Sequence, residues 1–126
     1  MPDTPRSQTD DDVFSVTTLL KYMGNDDKAL AVVTKIVRDA CAPRQAPLDQ
    51  ACAAIDDGRL AEAGKIFHGL RGSVGSLGAK RLVAASLALE QALVARDNAA
   101  IPALLDAVRA EYNAVLAAAD AWLAQL

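Results

Sequence analysis

The stretch LAEAGKIFHGLRGSVGSL, residues 60–77, carries the pattern that decides the fold. Its apolar residues recur at alternating steps of three and four, at Leu60, Ala63, Phe67, Leu70, Val74 and Leu77. A helix places residues with this spacing on one face, where they can pack against neighbouring helices. The stretch therefore predicts a long, core-facing helix that breaks at the residues around Gly78.

The residues that follow predict two more helices. Residues 79–96 should turn back on the first helix as an antiparallel hairpin. Asp97 and Asn98 can cap a last helix, in which Pro102 is tolerated because it falls in the first turn. The inward positions of these two helices are Leu82, Leu89 and Leu93, then Ile101, Leu105, Val108, Tyr112, Val115, Ala119, Trp122 and Leu126. The alternation in the last helix is kept to the end of the chain.

The residues that precede the quoted stretch predict a short helix and a further bundle helix. The apolar segment from residue 13 to residue 23 should form the short one, and Asn25 offers a cap for the next. Pro43 and Pro47 interrupt that next helix, because each lacks a backbone donor. Residues 26–57 are therefore expected to form either one kinked helix or two helices in line. Their inward positions are Leu30, Val33, Val37, Ala40, Leu48, Ala51, Cys52 and Ile55.

The composition agrees with a single helical domain. The chain has 126 residues, and its apolar residues are mostly Ala, Leu and Val, with only two Phe, two Tyr and one Trp. This mixture favours helix over strand. We expect an all-α fold, an up-down antiparallel four-helix bundle with a short extra N-terminal helix, formed by residues 13–126. Residues 1–12 are polar and are expected to be a mobile leader.

Composition also excludes several kinds of partner. The net charge of −3 and the lack of a Lys/Arg cluster argue against nucleic acid. No apolar run approaches the roughly 20 residues that span a membrane, and the first dozen residues lack the apolar stretch of a signal peptide, so a cytoplasmic location is expected. Cys41 and Cys52 are not spaced as metal ligands and are expected to be small buried residues, with no metal site in the chain.

One histidine, His68, stands among glycines in the quoted stretch. On a helix, its face also holds the residues one turn before it and up to two turns after it, namely Gly64, Lys65, Arg71, Gly72 and Gly75. Near neutral pH an imidazole offers an unprotonated nitrogen that can attack phosphorus, and Arg71 or Lys65 could stabilise the phosphoryl charge. Two plainer interpretations stay open: a surface histidine, and glycines that serve close helix packing.

The longer stretch FHGLRGSVGSLGAKRLVAASLALEQAL, residues 67–93, resembles the signature of the histidine-containing phosphotransfer (HPt) domain family. The matching positions are His68, Leu70, Arg71, Gly72, Ser73, Leu77, Gly78, Ala79, Leu82, Leu89 and Glu90. The upstream segments GNDDKAL and AIDDGRL are also similar to the family. Three residues depart from the usual pattern: Phe67 replaces Ala, Gly69 replaces a hydroxyl residue, and Arg71 replaces Lys.

The resemblance implies that His68 carries a phosphoryl group on Nε2. Arg71 and Lys65 would then balance its charge, and Gly64, Gly72 and Gly75 would leave room for a docking partner. Ser73 would belong to the same docking face, or its hydroxyl would instead bond the backbone one turn back. Glu90 is expected to be structural, lying near Gly64 and Lys65 and away from the imidazole ring.

The implied partners are response-regulator receiver domains and a hybrid sensor histidine kinase. The chain would be a monomeric relay carrier and not an enzyme, because it has no phosphate loop or ATP-binding segment. No cofactor is expected, since Mg²⁺ would be bound by the receiver. The alternative is a helical adaptor that binds receivers without transferring phosphate.

Overall fold

The chain is all-α in the part that the computed structural model describes, residues 8–126. This part forms seven helices and no strand: α1 (Gln8–Val13), α2 (Thr17–Tyr22), α3 (Asp27–Cys41), α4 (Ala46–Asp56), α5 (Leu60–Gly75), α6 (Lys80–Ala95) and α7 (Ile101–Ala124). The predicted fold class, an all-α helical bundle, is therefore confirmed.

Helix α5 occupies a central place in the bundle. It packs mainly against α4 and α6, and α6 packs in turn against α7. All six apolar positions of the quoted stretch are buried, which confirms the predicted stripe. The largest fully buried side chains are Phe67 of α5 and Tyr112 of α7. Burying an apolar side chain of this size contributes about 1.5–3 kcal/mol, so these helices hold the core together.

Helices α5 and α6 form the predicted antiparallel hairpin. The Ser86 hydroxyl oxygen lies 3.4 Å from the Phe67 carbonyl oxygen, which places these two residues opposite each other near the middle of the pair. Nearer the turn, a Cβ on Gly75 would lie 3.0 Å from Cγ2 of Val83, so the backbone of α5 lies close to α6 there. Leu82, Leu89 and Leu93 are buried, as the pattern predicts.

The turn between α5 and α6 depends on Gly78. This residue has a φ of +70°, and a Cβ there would lie only 2.5 Å from the backbone oxygen of Ser15. The absent side chain lets the segment between α1 and α2 approach the turn, where Ser15 N–H donates to the Leu77 carbonyl at 2.8 Å. The N-terminal segment is thereby attached to the hairpin.

This attachment explains why the helix expected over residues 13–23 begins only at Thr17. Helix α1 ends at Val13 and α2 begins at Thr17. Between them Phe14 and Val16 are buried, and the Phe14 ring centroid lies 6.3 Å from that of Trp122. Residues 8–12 of the expected polar leader belong to α1, and the rest of that leader lies outside the described residues.

Of the two alternatives for residues 26–57, the structure has two helices. The chain leaves α3 through Arg44, whose φ is +52°, and Pro47 lies in the first turn of α4. Arg44 pairs with Asp120 of α7 through two hydrogen bonds of 2.9 Å each. The Tyr112 hydroxyl donates to the Arg44 carbonyl, so this connection is held against α7.

Several boundary predictions are wrong by about one residue. The cap of α3 is Asp26, which accepts from Ala29 N–H at 2.8 Å, and not Asn25, whose φ is +54°. The buried face of α3 therefore includes Ala29, and Leu30 is exposed. Leu126 is also exposed, because it follows the last residue of α7.

The N-cap residue of α7 is Ala100, and neither Asp97 nor Asn98 takes that place. Asp97 still serves the helix start, because its carboxylate accepts from Ala100 N–H at 3.3 Å. The chain enters α7 in a tight turn, since Arg96 at the end of α6 has a φ of +55°. Pro102 falls in the first turn, as predicted.

The two cysteines are free thiols in different surroundings. Cys41 is buried, as expected, and burial raises the pKa of its thiol. Cys52 is only partly buried, and its sulfur accepts a hydrogen bond from Arg109 at 3.2 Å.

No helix within residues 8–126 is both long enough and apolar enough to cross a membrane.

Candidate functional site

His68 lies near the middle of α5, next to the buried stripe. Its neighbour Phe67 is fully buried, so the adjacent position on the helix projects outward. The His68 side chain is 72% exposed. A partner molecule can therefore reach the ring, as the sequence predicts.

Glu90 of α6 lies at the ring, so the expectation that it lies away from His68 is wrong. Its Oε1 is 3.6 Å from Nδ1 of His68. The reason is the direction of the side chains. The reversal between Gly75 and Lys80 is centred close to Leu77, so the backbone at Glu90 lies level with Gly64 and Lys65. Side chains on a helix lean towards its N-terminus, so on antiparallel helices the Glu90 and His68 side chains lean towards each other and meet. Glu90 also lines one groove with Gly64 and Lys65, which agrees with the other part of that expectation.

Arg71 joins the histidine to this carboxylate. Its Nε donates to Glu90 Oε2 at 2.9 Å and its Nη2 to Oε1 at 3.0 Å, a bidentate pair. The same Nη2 lies 2.7 Å from Nδ1 of His68. The hydrogen bonds from Arg71 to Glu90 raise the pKa of the guanidinium, which stays charged. Arg71 is therefore next to His68 as predicted, but its charge is already paired.

The Glu90 carboxylate is only 15% exposed and is held ionised. Burial opposes its ionisation, but hydrogen bonds from Arg71 and Ser86 outweigh that effect and lower its pKa below the ordinary value. The Ser86 hydroxyl donates to Oε2 at 2.9 Å. Ser86 is itself buried, so this second bond fixes the carboxylate from the core side.

Two protonation patterns of the neutral ring fit this geometry. If Nδ1 accepts from Arg71, the ring proton is on Nε2 and that nitrogen has no free lone pair. If Nδ1 carries the proton, the acceptor next to it is Glu90, and Nε2 has the free lone pair. Among the described residues Nε2 has no hydrogen-bond partner. The site can therefore present Nε2 as a nucleophile when Nδ1–H turns to Glu90.

The glycines near His68 differ in what surrounds them. A Cβ on Gly64, Gly69 or Gly72 would meet nothing within 4 Å, so these positions are open on the helix surface. Gly75 differs, because its Cβ would press on Val83 and helix packing alone can account for it. Packing therefore accounts for Gly75, whereas the open space at Gly64 and Gly72 is compatible with the predicted clearance for a partner.

The remaining predicted site residues lie on the same helix. The Ser73 hydroxyl donates to the Leu70 carbonyl at 3.3 Å, which is the local backbone bond considered for it. Lys65 is exposed, and within the described part of the chain its side chain makes no ion pair. It lines the groove that begins at His68.

The positions of Glu90 and Ser86 at the site do not follow from the sequence patterns. Both lie on α6 and reach α5 only through the hairpin, so no spacing within one helix reveals them. A signal was nevertheless present: a lone acidic residue in the apolar stretch of α6 needs a cationic partner when it is partly buried, and Arg71 is on the facing helix.

One of three comparisons with known proteins gives a match. A search of curated proteins and a search of solved structures each gave no significant match. A family model described as Hpt domain matches residues 36–118, a span that includes α5, α6 and the His68 site. Since this match covers more than half of the sequence, the chain belongs to the Hpt domain family, the histidine phosphotransfer modules of phosphorelays.

Proposed function

We propose that His68 is the phosphorylated residue of this Hpt domain. It would accept a phosphoryl group from the aspartyl phosphate of one receiver domain and pass it to the aspartate of another. One observation carries the proposal: an exposed imidazole has its Nδ1 next to the Arg71–Glu90 pair, while Nε2 is without a partner among the described residues.

The transfer needs no net proton movement. The Nε2 lone pair attacks the phosphorus of the aspartyl phosphate, the bond from phosphorus to the carboxylate oxygen breaks, and its electron pair leaves with the carboxylate. The ring then carries the phosphoryl group on Nε2 and a positive charge shared with Nδ1–H. In the second transfer a carboxylate oxygen of the next receiver attacks phosphorus, and the N–P electron pair returns to Nε2.

Glu90 and Arg71 have complementary parts in this step. Glu90 is a positioning residue, because its carboxylate can accept from Nδ1–H and offset the charge on the phosphorylated ring. Arg71 keeps the carboxylate in place through two hydrogen bonds, and a rotation of its guanidinium would bring a donor towards the phosphoryl oxygens. Lys65 supplies a further exposed cation on the same helix.

Hpt domains are phosphotransfer intermediates that interact with receiver domains, and not enzymes with a substrate of their own. For this chain we propose a monomeric carrier in the cytoplasm, charged by the receiver of a hybrid sensor histidine kinase. Mg²⁺ would be bound by the receiver, and the chain itself would need no cofactor. The adaptor alternative keeps the same docking face and differs only in the absence of transfer.

Transfer from a receiver tests the proposal. Receiver domains from the same organism are charged with radiolabelled acetyl phosphate and mixed with the wild-type chain or the His68→Gln variant. The wild type should gain label that is stable to alkali and labile to acid, as a P–N bond is, and the variant should gain none. Equal labelling of the variant would refute His68 as the site, and no labelling by any receiver would favour the adaptor.

A further inference from the structure

A shallow groove leads away from His68 between α5 and α6. It has a volume of about 490 Å³, and its walls include Ala61 and Gly64 from α5 and Leu93 and Val94 from α6. Because the two helices are antiparallel, His68 and Glu90 stand at one end of the groove and Arg96 at the other. The groove is therefore continuous with the site proposed for phosphotransfer.

Val94 is the unusual residue of this groove. Its side chain is 87% exposed, although it lies on a helix whose buried face supplies much of the core. It stands four residues after Glu90 on α6, so the two lie one turn apart on the same face. On the opposite wall Gly64 has no side chain and a Cβ there would meet nothing within 4 Å, which keeps the groove open.

The geometry of transfer determines what must cover this groove. A protein that brings an aspartyl phosphate to Nε2 has to contact the surface around His68, and a specific interface covers about 800 Å² on each partner. A surface of that size centred on His68 includes a groove that begins at the ring. The occupant is thus the same protein that delivers the phosphoryl group.

The charges around the groove fit an acidic partner. Lys65 and Arg96 line it, and within residues 8–126 neither side chain makes an ion pair. Glu90, the acidic residue in the lining, is ionised, and its negative charge is balanced by the guanidinium of Arg71. An apolar floor with unpaired cations at its edges suits a partner surface that combines an apolar side chain with acidic residues.

We infer that the receiver docks over the groove between Gly64 and Val94, placing an apolar side chain against Val94 and an acidic surface near Lys65 and Arg96. This inference rests on the proposed function and extends it from the ring to the docking surface. It adds a wall from α6, whereas the sequence patterns point only to residues of α5. Val94 becomes a residue that determines receiver affinity without touching the reacting atoms.

The test measures the rate at which a phosphorylated receiver labels the chain and divides it by the rate of labelling by phosphoramidate. Phosphoramidate phosphorylates imidazole without a partner protein, so the ratio reports docking alone. Val94→Asp should lower this ratio by about tenfold or more, because an anchor in the interface becomes a charge facing an acidic partner. Val94→Ile should keep the wild-type ratio. Leu126→Asp is the matched control, since Leu126 is also exposed and follows the C-terminal end of α7.

An unchanged ratio for Val94→Asp would overturn the inference while leaving the proposed function intact. A second variant, Ala61→Glu, places a charge on the opposite wall and should lower the ratio as well. A loss of receiver labelling in the wild type would instead refute the proposed function. A ratio that falls equally for Leu126→Asp would show that added negative charge acts at long range, and that would also overturn the inference.

Discussion

The carboxylate of Glu90 lies 3.6 Å from Nδ1 of His68, on the side of the ring opposite the nitrogen proposed to carry phosphate. The two residues come from facing helices, and Arg71 contacts both. The ring form with its proton on Nδ1 would face the ionised carboxylate, and the form with its proton on Nε2 would accept from Arg71. Our proposal requires the first form, in which Nε2 is the nucleophile, and so assigns Glu90 of α6 a part in the reactivity of a histidine on α5.

The first prediction concerns the charge of Glu90. Glu90→Gln should slow labelling of His68 by phosphoramidate by roughly 100-fold, because a carboxylate that orients a catalytic imidazole can be worth up to ~10⁴-fold. Glu90→Asp should recover part of the rate. Phosphoramidate makes the measurement independent of docking, and circular dichroism checks that the variants fold. A rate for Glu90→Gln within twofold of wild type would show that the residue only supports the structure.

The second prediction concerns stability and pH. The pKa of Glu90 is lower in the folded chain than its ordinary value of 4.5, so its ionised form stabilises the fold above that pH. This stabilisation is lost as the pH falls through the folded-state pKa. The difference in Tm between wild type and Glu90→Gln should therefore be largest near neutral pH and should shrink below about pH 4.5. Thermal melts at several pH values measure it.

Gln91→Ala is the control for these melts, because it changes an exposed residue beside Glu90 that does not titrate. Its difference from wild type should not depend on pH. A Glu90→Gln difference that stays constant down to about pH 3.5 would mean that the Arg71–Glu90 pair does not stabilise the folded chain.

The third prediction concerns the open glycine one turn after His68. Gly72→Gln should raise the free energy of unfolding by up to ~1 kcal/mol, because a Cβ meets nothing there and glutamine favours helix. The same variant should slow labelling by a charged receiver by about tenfold, since its side chain stands beside the ring where the partner approaches. Denaturation curves and transfer rates on one preparation give both values.

Gly69→Gln provides the matched control for Gly72. It is equally open, but it follows His68 directly and so projects about 100° away around the helix. It should gain stability in the same way and lose less transfer rate. Equal loss in the two variants, or an unchanged rate for Gly72→Gln, would contradict the clearance argument.

The fourth prediction separates backbone strain from close contact at the hairpin turn. Gly58 and Gly78 both have positive φ, of +76° and +70°, and a Cβ on Gly58 would meet nothing within 4 Å. Gly58→Ala should therefore destabilise the chain by about 1–2 kcal/mol. Gly78→Ala should lose at least ~1 kcal/mol more, because its Cβ would collide with the backbone of Ser15. Equal losses in chemical denaturation would mean that the Ser15 segment is only loosely attached.

Much of the fold could be predicted from the sequence because helix periodicity is local. The stripe from Leu60 to Leu77 identifies the central helix and its buried face. The same periodicity does not predict the break between α1 and α2, because that break depends on a hydrogen bond from Ser15 to Leu77. Such a contact joins residues that are far apart in the chain and leaves no pattern in either segment.

In the candidate site, too, contacts within one helix could be predicted from the sequence and contacts between helices could not. His68 and Arg71 could be placed together because they are one turn apart on one helix. Glu90 could not, since its contact with the ring depends on how the two side chains lean along the facing helices. Backbone register alone places Glu90 near Gly64 and Lys65, about one helical turn or roughly 5 Å short of His68.

The most direct test of the account is phosphorus NMR of the chain after labelling by a charged receiver. The phosphoryl resonance should couple to the ring protons of His68 in the pattern of the Nε2 isomer, because Nδ1 is held next to Arg71 and Glu90. The His68→Gln variant should show no such resonance. Phosphorus on Nδ1 of His68, or on any other residue, would contradict the central claim.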